Sequence, residues 1–125
     1  MGTFREKVVV SNPEDLNSME LELIVDTGAT YTWIPEDLLS QLKIKPRFKR
    51  KLQLADGRII ERDASLINIH IKGEELPTIC IFDDTGSKPL LGAVTLEESG
   101  LGVDPVNKTL VPVPSLLVSL FKGAG

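Results

Sequence analysis

The sequence is poor in the residues that build metal and disulfide sites. Its 125 residues include one cysteine, one histidine and only 5% aromatic residues. A single cysteine cannot form an internal disulfide, and one cysteine with one histidine nearly excludes a zinc site of the usual kind. Cys80 lies in an apolar run, where a buried and inert thiol is expected. We predict no metal and no cofactor.

The sequence also lacks long hydrophobic runs and a strong excess of one charge. No stretch reaches the roughly 20 apolar residues of a membrane span, and the first ten residues lack the apolar core of a signal peptide. The net charge of −4 gives no general attraction to nucleic acid or acidic membranes. These absences favour a cytoplasmic protein that has neither nucleic acid nor membrane as a partner.

The chain is most simply one domain over 1–125, and most of it alternates between apolar and polar residues, which is typical of strands. Helical signals are confined to 35–42 and 93–99. We predict an all-β fold, a closed or folded-over barrel with one or two short helices. The predicted strands are 5–10, 19–26, 47–55, 58–63, 64–71, 76–82 and 109–113. Residues 114–125 suit a sheet edge, a dimer contact or a flexible tail.

The triplet Asp-Thr-Gly occurs twice, at 26–28 and at 84–86. The triplet alone is a weak signal, because all three residues are common in turns. The first copy closes an alternating strand, which places the Asp26 carboxylate at the end of a core strand. The second copy follows Asp83 in a stretch typical of a turn. Asp26 is therefore the catalytic candidate, and Asp84 is interpreted as a turn residue.

Two further motifs follow the first triplet in order. LADGRII contains the hairpin signal Asp56-Gly57, and LLGAVTLEESGL runs from an apolar pair and a glycine into a helix. Together with LIVDTGAT, these motifs resemble the retropepsin-like (clan AA) aspartic proteases, and more narrowly their small single-domain prokaryotic type. The resemblance covers about residues 19–112, which is most of the chain.

The resemblance implies a homodimeric aspartic endopeptidase. One chain with one usable Asp26 cannot supply two carboxylates, whereas a two-fold interface brings the residue near its own copy. Two carboxylates about 3 Å apart share one proton, so one activates a water while the other polarises the peptide carbonyl. The expected substrate is an extended peptide or an unfolded protein, bound as an added strand.

The resemblance also implies roles for the residues around Asp26. Thr27 is expected to hydrogen-bond across the two-fold axis, and Gly28 to donate its N–H to the carboxylate. Leu91 and Gly92 are expected to support the loop from behind, because a side chain at Gly92 would clash. The expected substrate contacts are Ala29 and the flap residues Ala55, Asp56, Gly57 and Arg58.

Two residues depart from relatives of this type. Ala29 stands where bilobal pepsin-like enzymes often carry Ser or Thr, whose hydroxyl stabilises an ionised carboxylate. We therefore expect a less acid optimum than that of pepsin. Arg58 stands beside a single glycine, whereas viral flaps carry several glycines. It predicts either a stiffer flap or an arginine that contacts an acidic substrate or Asp56.

Three other features receive structural interpretations. The six basic residues within 43–51 are typical of a half-buried strand with a solvated face, rather than of a nucleic-acid patch. His70 is expected at the surface. Tyr31 and Trp33 are expected in the core, with a substrate subsite as the alternative.

Two alternatives to a protease are open at the level of the sequence. A catalytically weak or inactive peptide-binding module on the same fold would bind peptides without cleaving them, and Asp26→Asn would not weaken that binding. A structural protein in which residues 26–28 are only a turn would be unaffected by Asp26→Asn.

Overall fold

The computed structural model describes residues 3–114, which form nine strands and two short helices. The predicted dimer contact or tail at 115–125 lies outside the described residues. The elements are β1 Arg5–Ser11, β2 Ser18–Val25, β3 Thr32–Pro35, α1 Glu36–Gln41, β4 Phe48–Gln53, β5 Ile59–Ile71, β6 Glu74–Asp83, β7 Leu90–Leu91, α2 Ala93–Glu98, β8 Leu101–Asp104 and β9 Thr109–Pro112.

Seven strands form one sheet in the order β1-β2-β7-β3-β6-β5-β4, and β1 also pairs with β5. The β1–β5 pairing closes the sheet on itself, while β4 extends β5 beyond the closed part. The strands β8 and β9 form a separate antiparallel hairpin. The predicted all-β, folded-over architecture with two short helices is confirmed.

The core follows from the period-two pattern of the strands, because every second side chain faces inward. It contains Val8 and Val10 of β1 together with Ile67, Ile69 and Ile71 of β5. Neither of the two described helices is long and apolar enough to cross a membrane.

The sequence analysis wrongly divided one strand into two. Residues 58–63 and 64–71 were predicted as two strands, but Ile59–Ile71 is a single strand of 13 residues. Ala64 pairs with Phe48 of β4 on one side and with Ile81 of β6 on the other. The strand thus exchanges one partner for another without turning, because it is paired along its whole length.

Three short strands were not predicted, namely β3, β7 and β8. The two residues of β7 lie between β2 and β3, and Trp33 of β3 pairs with Leu90 of β7 and Ile81 of β6. Two to four residues are too few to show a period, so their neighbours in the sheet decide their conformation. Both predicted helices are present, each slightly shorter than expected.

Candidate active site

The strand β2 delivers Asp26 to the end of the core. Leu23 and Val25 are buried and anchor the strand. The Val25 N–H donates to the Phe4 carbonyl at 2.9 Å, and the Asp26 N–H donates to the Leu91 carbonyl of β7 at 3.0 Å. The backbone at Asp26 is therefore tied to elements on two sides.

The loop after Asp26 orients its carboxylate. The Gly28 N–H donates to Asp26 Oδ1 at 2.9 Å, and the Ala29 N–H donates to the Asp26 carbonyl at 3.1 Å. A methyl group on Gly28 would stand 3.2 Å from Oδ1, so the loop fits closely around the acid. Thr27 is exposed in the single chain.

The loop is also fastened to the start of α2. The first N–H groups of a helix lack partners within the helix. In α2 the Ala93 N–H donates to the Ala29 carbonyl at 2.8 Å, and the Val94 N–H donates to the Thr30 carbonyl at 2.9 Å. A Cβ on Gly92 would overlap the Tyr31 carbonyl. Only glycine therefore lets α2 begin this close to the loop.

A buried chain of hydroxyl groups lies behind the same loop. The Gly92 N–H donates to Thr32 Oγ1 at 3.1 Å. Thr32 and Thr95 are 2.7 Å apart through their hydroxyl oxygens, and Thr95 and Thr78 are 2.8 Å apart. Thr78 Oγ1 donates to Glu98 Oε1 at 3.0 Å.

A carboxylate only accepts, and each hydroxyl has one proton to give. Since Thr78 donates to Glu98, Thr95 donates to Thr78 and Thr32 donates to Thr95. The Thr32 oxygen then accepts from the Gly92 N–H. Sequence reasoning missed this chain, because its members are 17 and 63 positions apart and no local pattern links them.

The hairpin of β4 and the first half of β5 forms a flap with Asp56-Gly57 at its tip. The Leu54 N–H donates to the Arg58 carbonyl at 2.8 Å, and Gly57 takes a φ of +88°, which glycine adopts easily. The Arg58 N–H and Nε donate to the two carboxylate oxygens of Asp56, at 3.0 and 2.7 Å. These bonds, led by the backbone N–H, hold the pKa of Asp56 below its usual value.

A cleft of about 660 Å³ lies between the Asp26 loop and the flap. Among the described residues, Asp26 is the one acidic side chain that lines it. Of the expected substrate contacts, Ala29 lines the cleft. Ala55, Asp56, Gly57 and Arg58 lie exposed at the flap tip, outside this lining.

Tyr31 and Trp33 lie in the cleft wall, so the expectation that they join the core was wrong. Both are half-buried and stand beside Leu90 in the lining. The strand β3 places them there, since its alternate residues Thr32 and Ile34 take the buried positions. The subsite alternative is the one that agrees with their position.

The second triplet forms a turn, as expected, with Gly86 at a φ of +87°. Its Asp84 accepts from Arg62 Nη1 at 2.9 Å, and the guanidinium of Arg62 lies 5.9 Å from the centre of the Trp33 ring. The Arg62 hydrogen bond holds the pKa of Asp84 below its usual value. The second triplet therefore contacts the cleft wall indirectly, which the sequence did not indicate.

The remaining sequence features occupy the expected positions, except for the first part of the basic stretch. His70 is exposed. Of the basic stretch 43–51, only residues 48–51 lie in a strand, β4, where Lys49 and Lys51 are exposed while Phe48 and Leu52 are half-buried. The strand interpretation was wrong for 43–47, where Lys43 takes a φ of +59°. Cys80 is fully buried, and this burial raises the pKa of its thiol. Within residues 3–114, no group of three metal-ligating side chains converges.

Comparison with known proteins identifies one matching family and solved structures with a similar fold. The family model described as "gag-polyprotein putative aspartyl protease" matches residues 14–98. The solution structure of simian foamy virus (mac) protease has 16% identity and a TM-score of 0.54, covering 74% of this chain and 91% of that chain.

The EIAV protease complexed with the inhibitor HBY-793 has 21% identity and a TM-score of 0.63, covering 82% of this chain and 93% of that chain. No curated protein sequence matches significantly. At these identities the solved structures establish a shared fold, while the family model covers more than half of the sequence.

Proposed function

Since this chain belongs to the gag-polyprotein aspartyl protease family and has a retropepsin-like fold, we propose that it is a homodimeric aspartic endopeptidase. It hydrolyses peptide bonds with a water held between two Asp26 carboxylates, one from each protomer. The substrate is an extended peptide or a segment of unfolded protein.

The observation that carries the proposal is the isolated, oriented carboxylate. Asp26 is fixed by the Gly28 N–H at 2.9 Å in a cleft whose described lining holds no second acid. The reaction needs two carboxylates, and a two-fold axis next to the loop supplies the second. Thr27 is exposed in the single chain, which leaves its hydroxyl available for a hydrogen bond to the loop of the partner protomer in the proposed dimer.

The chemistry follows from the proximity of two like charges. Carboxylates about 3 Å apart cannot both ionise, so the pair holds one proton. The ionised member takes a proton from the water, which attacks the peptide carbonyl, while the protonated member donates a hydrogen bond to the carbonyl oxygen. One of the two protons then held by the pair passes to the leaving nitrogen, and the C–N bond breaks to give a carboxylic acid and an amine. The pair keeps the other proton and so returns to its starting state.

The remaining site residues bind and position the substrate. Ala29 contacts it in the cleft, while Ala55, Asp56, Gly57 and Arg58 close over it when the flap descends and excludes water. The peptide adds as a strand beside the flap. Leu91 and Gly92 hold the Asp26 loop from behind, as the Leu91 carbonyl and the tight packing at Gly92 suggest.

The test is cleavage of a denatured protein from acid to neutral pH, with wild type beside Asp26→Asn. An inhibitor that mimics the tetrahedral transition state serves as a third arm. We expect cleavage by the wild type, inhibition by the mimic and no cleavage by Asp26→Asn. Asp84→Asn is the matched control, because it makes the same change in the second triplet and should leave cleavage in place.

Cleavage that survives in Asp26→Asn would rule out this mechanism. If the dimeric wild type cleaves nothing at any pH but binds peptides, the function is that of a catalytically inactive peptide-binding module. In that case Asp26→Asn binds peptide as well as the wild type does.

A further inference from the structure

The flap is rich in positive charge, and nearly all of that charge is already neutralised or stacked. Four of the five basic side chains between 48 and 62 have a partner within the chain. They are Lys49 with Asp63 at 3.0 Å, Arg50 over the Phe48 ring at 4.5 Å, Arg58 with Asp56 at 2.7 Å, and Arg62 with Asp84 at 2.9 Å.

Lys51 is the exception on the flap. It is exposed and lines the cleft that contains Asp26, and within the described part of the chain it forms no ion pair. Glu61 stands opposite Lys51 in the hairpin register, yet no ion pair of 4 Å or less joins them there. A cation without a bound anion therefore borders the candidate active site.

The cleft wall beside Lys51 is apolar, and this determines which substrate side chains could bind next to the cation. Tyr31, Trp33, Leu54 and Leu90 form an apolar surface beside it. A substrate strand under the flap would place successive side chains alternately toward and away from this wall. An acidic side chain would be repelled by a negatively charged carboxylate pair unless a nearby cation offset the repulsion.

We propose that Lys51 is a specificity-determining residue that selects an aspartate or glutamate side chain of the substrate, next to the apolar subsite of Tyr31 and Trp33. This inference rests on the proposed peptidase function, and it adds a substrate class to it. The preferred substrate is a peptide with an apolar residue near the scissile bond and a carboxylate close to it.

The test uses peptides that differ only by Glu, Gln or Lys at each of the positions flanking the scissile bond. We expect the wild type to favour Glu over Gln in kcat/KM at one position by about three- to fivefold, as for a solvent-accessible ion pair. The preference should weaken in 1 M salt, because salt screens exposed charges.

Three variants separate Lys51 from the rest of the flap. Lys51→Gln should remove the preference for Glu, and Lys51→Glu should invert it in favour of the Lys peptide. Lys49→Gln is the matched control, because Lys49 has the same parity on β4 but pairs with Asp63 and lies outside the cleft lining. It should retain the wild-type preference.

Equal cleavage of the Glu and Gln peptides by the wild type at every position would overturn the inference, as would an unchanged preference in Lys51→Gln. If no peptide is cleaved, the peptidase proposal fails, and binding of the same peptides to the Asp26→Asn variant decides the role of Lys51. Tighter binding of the Glu peptide that is lost in the double variant with Lys51→Gln supports it, and equal binding refutes it.

Discussion

Two glycines determine how closely the backbone is packed around Asp26, and they do so in different ways. At Gly28 an added methyl group would meet only the Asp26 carboxylate oxygen, at 3.2 Å. At Gly92 it would overlap the backbone of Tyr31. A side-chain oxygen can move by a few tenths of an ångström, whereas the backbone of a strand cannot move without disturbing the sheet.

Alanine substitutions should therefore separate activity from stability. We expect Gly28→Ala to lower kcat while changing the free energy of unfolding little. Gly92→Ala should destabilise the fold by about 3 kcal/mol or more, because the overlap is with backbone. Urea unfolding and peptide cleavage, measured on both variants, check this.

Gly73→Ala is the control for the cost of a substitution alone. Gly73 lies in the turn between β5 and β6, outside the Asp26 loop. It has a φ of +83° and open space around it. It should cost about 1–2 kcal/mol of strain and leave activity unchanged. Equal activity in Gly28→Ala and wild type would contradict the tight fit described for the loop.

The single tryptophan of the chain, Trp33, provides a spectroscopic reporter of the cleft wall. The pKa of Asp84 is lowered by Arg62, so the pair is intact above the ordinary aspartate pKa and is lost as pH falls through the lowered value. We expect a change in Trp33 emission below about pH 3.8, because Arg62 is then released from Asp84.

Asp84→Asn should abolish this emission change, since the variant has no carboxylate to titrate. Asp104→Asn is the matched control, because the pKa of Asp104 is also lowered, but by Asn107 in a distant turn. Circular dichroism over the same range separates the local change from unfolding. An unaltered emission titration in Asp84→Asn would refute the assignment.

Among the elements, α2 links the Asp26 loop to the interior of the sheet. Its N-terminus binds the carbonyls of Ala29 and Thr30, while Thr95 in its middle joins Thr32 to Thr78. The helix has only six residues and no side-chain cap. Its position therefore depends on these tertiary hydrogen bonds, because so short a helix is not stable alone.

Thr95→Val should destabilise the protein by about 1–3 kcal/mol, because valine has nearly the same shape but removes the acceptor of the buried Thr32 hydroxyl and the donor to the Thr78 hydroxyl. We also expect a lower kcat, as the loop loses a support. Thr109→Val on the exposed side of β9 is the control and should change little. Equal unfolding free energies for Thr95→Val and wild type would show that the row of threonine hydroxyl groups contributes nothing to stability.

The flap tip is the second element on which activity should depend. Arg58 binds both carboxylate oxygens of Asp56, so hydrogen bonds cross-link the tip. Arg58→Ala should speed amide hydrogen exchange at the tip and raise KM more than it lowers kcat. Global stability should stay close to that of wild type, because both groups are exposed. Unchanged exchange at Gly57 would contradict this account.

At the scale of the whole molecule, the proposed mechanism requires two chains. If an active dimer needs an intact Asp26 in each protomer, mixing wild type with Asp26→Asn produces mixed dimers that lack one carboxylate. Activity should then fall as the square of the wild-type fraction, to about one quarter in an equal mixture at constant total protein. Activity that fell only in proportion to the wild-type fraction would mean that a single chain is sufficient.

The local order of residues in the sequence determines which side chains face the core, where Asp26 lies and where the flap turns. The alternation in β2 and in the second half of β5 predicts which side chains face the core, because a strand has a period of two wherever it lies. The same regularity puts Asp26 at a strand end, and Asp56-Gly57 makes a tight turn in any context that permits a positive φ. The order of the three motifs then indicates the family.

Closure of the sheet determines the short strands, the length of β5 and the contacts between distant side chains. The two-residue strand β7 exists because β2 and β3 flank it, and Ile59–Ile71 stays one strand because it has partners along its whole length. Contacts between Thr32 and Thr95, and between Arg62 and Trp33, join residues that are far apart or on different strands. No local periodicity encodes such contacts, since they arise only when burial of the apolar faces fixes how the strands lie against each other.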